Sequence, residues 1–247
     1  MTAIDLNADM GEYADKAQQD REAALMPLIS SCSIACGGHA GDEKTMRVTA
    51  CLAKRYGVHV GAHPSYPDRE GFGRRRITIT HAELRTSLKA QIASLQDVLQ
   101  TEDLPLSHVK PHGALYNDAA QDPTLAALVI EASSGCTVVG QPQSAIHKEA
   151  EKAGVPFVSE GFVDRLYQAS GALTPRSQPG AVIKDILARA KQAVAIACGE
   201  TFDAIDGPLS LRAETLCIHS DSPGAVETAN AVRNALESSG FTIRAFT

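Results

Sequence analysis

Short segments rich in β-branched residues alternate with amphipathic segments along this chain of 247 residues. The strand-like segments lie at residues 3–8, 33–36, 58–62, 107–111, 136–140, 156–160, 215–219 and 241–246. Apolar residues recur at helical spacing in residues 21–31, 42–56, 80–100, 122–133, 143–153, 181–198 and 223–238. Because neighbouring parallel strands need a crossover, usually a helix, this alternation predicts a mainly parallel sheet with right-handed connections.

The ends of the helical segments carry the expected capping residues. Asp42 and Thr80 stand where a side chain can cap a helix N-terminus. Three glycines follow helical segments at the position where a C-terminal cap belongs, namely Gly57, Gly154 and Gly240. Since no linker or low-complexity segment interrupts the pattern, the sequence predicts one domain over residues 1–247.

The strand segments are polar on one face. In residues 4–9 the apolar side chains share one face, and Asp5, Asn7 and Asp9 share the other. A parallel sheet covered by helices on both faces has nearly continuous apolar strands. The pattern therefore favours a closed barrel of up to eight strands, with a lumen that is polar towards its C-terminal rim.

Ionisable side chains stand at the ends of several strand segments, where the loops of parallel α/β proteins build active sites. They are Asp9, His39, His63, His112, Glu160 and His219. Burying this many ionisable groups without a function would cost several kcal/mol of desolvation. We therefore expect them to converge on one site.

Carboxylates and histidines suit either acid–base catalysis or metal ligation. Asp9, His39 and His63 are the candidate metal ligands, although no H-E-x-x-H or similar spacing supports a metal. Lys110 argues partly against a dense cation site. It could instead balance Asp5 or Asp9, or hold a substrate carboxylate.

Two loops carry features that suit anions. Residues 61–75 form a Pro/Gly-rich loop with three arginines beside His63, and guanidinium groups match carboxylates and phosphates. Residues 37–42 place glycine-rich backbone and Asp42 before a helix N-terminus, which is a common anion cradle. The phosphate-binding motifs G-x-x-x-x-G-K-[ST] and G-x-G-x-x-G are absent, as is G-x-S-x-G.

Composition excludes several other classes of protein. Lys and Arg total 23 and Asp and Glu total 29, for a formal net charge of −6, which disfavours binding to nucleic acids or anionic membranes. Six cysteines without a C-x-x-C pair are expected to be reduced thiols. No apolar stretch approaches the ~20 residues that cross a bilayer, and the N-terminus is acidic where a signal peptide is basic. The sequence predicts a cytoplasmic protein.

Several motifs closely resemble the LamB/YcsF family, the A subunits of bacterial 5-oxoprolinase. They lie in order at residues 5–12, 34–42, 61–68, 72–75, 109–117, 160–167 and 175–177. The chain departs from the family pattern at two positions. Val163, in the motif at 160–167, replaces the usual alanine, and Ser220, in the segment 217–221, replaces the usual glycine between His219 and Asp221. The second change puts the positions of His219 and Asp221 in question.

The resemblance implies a distorted (β/α) TIM-like barrel of seven or eight mainly parallel strands in a single domain. It also implies a complex with B and C subunits that converts 5-oxoproline to L-glutamate at the expense of ATP. A five-membered lactam is a poor electrophile, so phosphorylation of its oxygen would make attack by water feasible. That route needs a base for water, cations for anionic groups and an acid for the departing nitrogen.

Under this hypothesis, Asp9 or Glu12 and His39 or His63 supply the base and acid, and His112 orients the reacting amide. Lys110, Arg74 and Arg165 hold anionic groups. The full set of predicted substrate-binding or anion-binding residues is Asn7, Asp42, Arg74, Lys110, Tyr116, Asn117, Arg165 and His219. ATP is expected at the level of the complex, and a divalent metal and a homo-oligomer are both compatible with the sequence.

Two alternatives remain open at this point. One is a metal-dependent amidohydrolase or deacetylase-like enzyme that holds Zn²⁺ or a similar ion through Asp9, His39 and His63. The other is a noncatalytic protein of the complex, whose polar lumen binds the substrate while another chain performs the reaction.

Overall fold

Seven parallel strands close into a barrel in the computed structural model, which describes residues 2–246. In chain order, the barrel strands are β1 (Thr2–Met10), β2 (Ser31–Ala35), β3 (His59–His63), β4 (Leu106–Val109), β5 (Thr137–Gly140), β6 (Phe157–Phe162) and β9 (Thr215–Cys217). The ring is complete because β1 pairs with β2 on one side and with β9 on the other. The expected distorted (β/α) barrel is therefore confirmed.

Three further strands of the described residues lie outside the ring. Strand β10 (Phe241–Ile243) pairs in parallel with the first residues of β1. Strands β7 (Thr201–Ala204) and β8 (Gly207–Ser210) form a separate antiparallel hairpin. The sequence pattern does not predict this hairpin, because its second strand opens with Gly207 and Pro208, and both residue types are uncommon in strands.

Eight α-helices accompany the strands between residues 2 and 246. They are α1 (Lys16–Leu25), α2 (Glu43–Tyr56), α3 (His81–Thr101), α4 (Gly113–Gln121), α5 (Pro123–Ala132), α6 (Ala145–Ala153), α7 (Ile186–Cys198) and α8 (Ala225–Ser238), with a 3₁₀ helix at Met26–Leu28. None of the described helices is long and apolar enough to span a bilayer.

Helices α1 and α4 differ most from the sequence prediction. The apolar spacing predicts the first helix at residues 21–31, but α1 begins after Asp15, which caps it, and gives way to a 3₁₀ turn containing Pro27. The pattern does not predict helix α4 at all. Asp122 ends α4 and also caps α5, so no loop signal separates the two helices.

The predicted caps agree with the structure. Asp42 accepts a hydrogen bond at the start of α2, and Thr80 forms a capping box with Glu83 at the start of α3. Gly57 and Gly154 end α2 and α6 in the left-handed conformation that favours glycine.

The alternation of β1 divides the apolar core from the polar lumen. Ile4, Leu6, Ala8 and Met10 are buried in the core between barrel and helices. On the other face, Asp5 accepts hydrogen bonds from the hydroxyls of three residues at the N-terminal end of the barrel: Ser30, Ser31 and Thr215. The lumen is therefore filled by hydrogen-bonded side chains at this end.

Gly41 and Gly57 provide a matched test of how the backbone after β2 is packed. Both have positive φ, but a Cβ on Gly41 would lie 2.2 Å from the main-chain oxygen of Ala35, whereas a Cβ on Gly57 would meet nothing within 4 Å. We expect Gly57→Ala to cost about 1 kcal/mol of unfolding free energy. Gly41→Ala should cost at least about 3 kcal/mol, since backbone must move. Urea unfolding checks this, and equal losses would contradict it.

Candidate active site

A cavity of about 370 Å³ opens at the C-terminal ends of the barrel strands. Its lining comes from β1, β3, β6, α4 and the loops that follow β1, β3, β4, β5, β6 and β9. The ionisable and polar side chains in this lining include Asp9, Glu12, His63, Arg74, Lys110, His112, Tyr116, Asn117, Arg165, Arg176 and His219. Residues far apart in the chain thus meet at one mouth, as parallel strand ends require.

Lys110 is the centre of the charged network. Its Nζ lies 2.8 Å from Asp9 Oδ1 and 2.7 Å from Glu160 Oε1, and it donates to Asn7 Oδ1 at 3.0 Å. Burial alone would lower the pKa of Lys110, but the facing carboxylates outweigh it and raise the pKa well above its usual value. The lysine therefore balances buried negative charge, and its three donors are directed at protein groups.

Asp9 is ionised for the same reason. Burial would raise the pKa of Asp9, but His63 and Lys110 hold it well below the usual range. His63 Nε2 lies 3.4 Å from Asp9 Oδ2, so the carboxylate links the lysine to the histidines.

Three histidines surround Glu12. Its Oε1 lies 2.8 Å from His39 Nε2, 3.3 Å from His112 Nδ1 and 3.8 Å from His63 Nε2. The His39 and His112 rings are stacked with centroids 3.6 Å apart. Burial lowers the pKa of His39 to about 4, so this ring is neutral near pH 7.

Glu22 on α1 fixes the backbone that carries Glu12. Its carboxylate oxygens accept hydrogen bonds from the main-chain N–H groups of Gly11 at 2.7 Å and Glu12 at 3.1 Å. No sequence pattern indicates this role, because a glutamate in a helix is ordinarily a solvated residue.

His219 forms a second acid–base unit with Asp164. His219 Nδ1 lies 2.7 Å from Asp164 Oδ1, and Ser222 donates to the other oxygen at 2.9 Å. Burial would raise the pKa of Asp164, but His219 and Ser222 lower it to about 2. An ionised Asp164 accepts a hydrogen bond from Nδ1–H, so the neutral imidazole carries its lone pair on Nε2.

The departure at Ser220 is accommodated without displacing this unit. Ser220 Oγ donates to the main-chain oxygen of Asp9 at 2.7 Å and so ties the loop after β9 to β1. Asp221 pairs with Arg74 at 2.8 Å.

Of the remaining predicted residues, three line the cavity and one lies outside it. Tyr116 is buried in the cavity wall, and Asn117 stands at its edge and donates to the main-chain oxygen of Gly113. Arg165 lines the cavity while it donates to main-chain oxygens of its own loop. Asp42 is exposed as the cap of α2 and is not among the residues that line the cavity.

Sequence reasoning assigns no role to Asp164 or Arg176, although both lie within the motifs that carry the family resemblance. They belong to the long loop between β6 and α7, where no periodicity relates a residue to the cavity. Glu160 is expected among the strand-end groups, but its contact with Lys110 depends on closure of the ring.

Two groups of described side chains bring possible metal ligands within 4.8 Å of one another. One consists of Glu12, His39, His63 and His112, and the other of Asp9, Cys217 and His219. Neither matches the predicted set, because Asp9 faces His63 whereas His39 pairs with Glu12. Burial raises the pKa of the Cys217 thiol well above its usual value, which disfavours the thiolate that binds metals.

Removing the lysine should leave two buried carboxylates without a counter-ion. We expect Lys110→Met to lower the unfolding free energy by about 3–5 kcal/mol, and the double variant Lys110→Met with Glu160→Gln to recover part of that loss. As a control, Lys89→Met removes an exposed pair with Glu131 and should cost at most about 1 kcal/mol. Urea unfolding that gave similar losses for the two single variants would contradict the central role of Lys110.

The Asp164 carboxylate should make stability depend on pH. Its pKa of about 2 is below the ordinary 3.8, so its contribution is present above about pH 5 and is lost as the pH falls through 2. The difference in unfolding free energy between the wild type and Asp164→Asn should therefore shrink by roughly 2 kcal/mol between pH 5 and pH 2. A difference that stays constant over this range would show that the ionised carboxylate does not stabilise the fold.

Comparison with known proteins agrees with the fold and the motifs. Residues 4–247 match the LamB/YcsF family. The 5-oxoprolinase A chain of Chloroflexus aggregans is 44% identical over 99% of both chains, and that of Thermus thermophilus is 43% identical over 98% of this chain and 99% of its own. The crystal structure of the lactam utilization protein from Thermus thermophilus superposes with a TM-score of 0.90 at 41% identity, covering 99% of this chain and 100% of that one. This chain therefore belongs to the LamB/YcsF family.

Proposed function

We propose that this chain is the lactam-opening component of an ATP-dependent 5-oxoprolinase and works with B and C subunits. The observation that carries the proposal is a cavity in which arginines lie beside a floor of carboxylates and histidines. A small lactam with a carboxylate group needs both kinds of partner. Two relatives at 43–44% identity are 5-oxoprolinase A chains, which supports the same substrate.

The arginines suit the anionic parts of such a substrate. Arg74, Arg165 and Arg176 all line the cavity. Burial and the nearby Arg176 lower the pKa of Arg165 to about 10, which still leaves it protonated near pH 7. Neighbouring guanidinium groups repel each other, and a carboxylate or phosphoryl group between them would relieve that repulsion.

His219 is the side chain best arranged to activate water. Asp164 accepts a hydrogen bond from His219 Nδ1–H. His219 also lines the cavity, where its Nε2 can accept a proton from water. This assignment differs from the expectation that Asp9 or Glu12 and His39 or His63 supply the base and acid. Asp9 is engaged by Lys110, and the His39 side chain is fully buried against Glu12.

Tyr116 supplies a neutral hydroxyl in the same wall. Burial and the nearby Glu160 raise the pKa of Tyr116 well above its usual value, so the hydroxyl keeps its proton and can donate a hydrogen bond. Because this oxygen is buried beside Glu160, the hydroxyl is directed at that carboxylate and helps to fix its position in the wall.

ATP enters the proposal through the chemistry of the lactam. Phosphorylation of the lactam oxygen gives a better electrophile, and water then adds to the former carbonyl carbon. The ring carbon–nitrogen bond breaks, the nitrogen takes up a proton, and a second water releases phosphate from the resulting acyl phosphate. The chain needs only to perform the ring-opening part of this sequence.

Replacement of the base tests the proposal. In a complex assembled with the B and C subunits, we expect His219→Asn to lower kcat for L-glutamate formation by roughly 10²–10⁴-fold with little change in KM. His81→Asn, which changes an exposed histidine at the start of α3, is the control and should retain activity. The assay measures L-glutamate released from 5-oxoproline in the presence of ATP.

Two results would overturn the proposal. A complete complex that does not react with 5-oxoproline would exclude this lactam as the substrate. A complex in which His219→Asn alters KM but leaves kcat unchanged would indicate that this chain only binds the substrate.

A further inference from the structure

Two imidazole rings in the cavity face each other through nitrogens that carry no proton in the neutral form. His63 Nδ1 lies 2.7 Å from the main-chain oxygen of Lys110, and His112 Nε2 lies 2.9 Å from that of Phe72. A carbonyl oxygen only accepts hydrogen bonds, so both of these nitrogens carry the ring proton. The remaining nitrogens, His63 Nε2 and His112 Nδ1, are 3.0 Å apart. Two lone pairs at this distance repel unless a positive species lies between them, and Asp9 Oδ2, 3.4 Å from His63 Nε2, favours positive charge at the same point.

Glu12 places a third possible ligand atom beside these two ring nitrogens. Its Oε1 is 3.3 Å from His112 Nδ1 and 3.8 Å from His63 Nε2. Ligand atoms around a tetrahedral metal ion with bonds of about 2.0–2.1 Å are about 3.3 Å apart. The three separations of 3.0, 3.3 and 3.8 Å lie around that value.

The surroundings of these donors are those of a metal site. Histidines that bind metals commonly donate their other ring N–H to a main-chain carbonyl, which fixes the ring and its tautomer. His39 plays a different part, because its ring is stacked parallel to that of His112 and its Nε2 contacts Glu12 Oε1 at 2.8 Å. A carboxylate oxygen accepts hydrogen bonds, so His39 Nε2 carries the ring proton, has no lone pair for an ion and orients the carboxylate.

The positive charge of Lys110 does not oppose an ion here. Its Nζ is directed at Asp9 and Glu160, at 2.8 and 2.7 Å, so two carboxylates surround its single charge. Lys110, Asp9 and Glu160 together carry one net negative charge, so the lysine adds no net positive charge beside Glu12 and the histidines.

We propose that Glu12, His63 and His112 bind one divalent transition-metal ion such as Zn²⁺, with an open coordination position towards the cavity. All three residues line the cavity, so an oxygen of a bound molecule can reach that position. A cation there would polarise this oxygen as a Lewis acid. The inference concerns metal binding by this chain alone and stands whether or not a lactam is the substrate.

Direct binding measurements test the site without substrate or partner proteins. The full chain, stripped with a chelator and dialysed, is titrated with Zn²⁺ in a calorimeter. We expect one ion per chain, with affinity weakened by at least about a hundredfold in Glu12→Gln and in His112→Gln. His219→Asn belongs to the other possible ligand group and should keep the affinity of the wild type within about threefold.

A measurement on the unmodified chain guards against variants that fail to fold. With ¹⁵N-labelled histidine, Zn²⁺ should shift the ring-nitrogen resonances of His63 and His112 and leave that of the exposed His81 in place. A shared proton between the two rings, in place of a metal, predicts no stoichiometric Zn²⁺ binding and no such shifts, and that result would overturn the proposal. Equal binding by the wild type and both ligand variants would overturn it as well.

Discussion

The ion pairs of Lys110 with Asp9 and Glu160 hold the mouth of this barrel together. The three residues come from the ends of different strands, and each of their charges is buried. A buried charge is tolerated only when its partner is close and well oriented. The strands must therefore close in one register for the network to form, and this requirement also sets the positions of the neighbouring histidines.

The network separates two kinds of chemistry on either side of Asp9. On one side, Glu12 lies within reach of three imidazole rings, and its backbone is held by Glu22. On the other side, Asp164 fixes the tautomer of His219 at the edge of the same cavity. A single fold element, the end of β1, thus connects a compact donor cluster with a separate acid–base pair.

The sequence predicts the parts of the molecule that depend on local pattern. The polar face of β1 indicates the lumen, and capping residues such as Thr80 place the helices. The same reasoning brings Asp9, His63 and His112 to one mouth, because parallel strand ends share an edge. Motifs of the family add the distorted shape of the barrel, which periodicity alone does not specify.

What the sequence does not supply depends on contacts across the ring. Lys110 has three interpretations in the sequence, and only the distances to Asp9 and Glu160 identify it as a counter-ion. Asp42 resembles part of an anion cradle, but helix capping uses its carboxylate. The pairing of Asp164 with His219 joins residues 55 positions apart, and no local spacing encodes it.

The hydrogen-bonded side chains around Asp5 fill the lumen at the N-terminal end of the barrel. Ser31 and Thr215 occupy the floor of the lumen and are both fully buried, so the cavity does not continue through the barrel. A small molecule that enters or leaves the cavity must therefore pass through its opening at the C-terminal ends of the strands. A protein bound over that opening would therefore control entry to the cavity and exit from it without contacting the side chains inside.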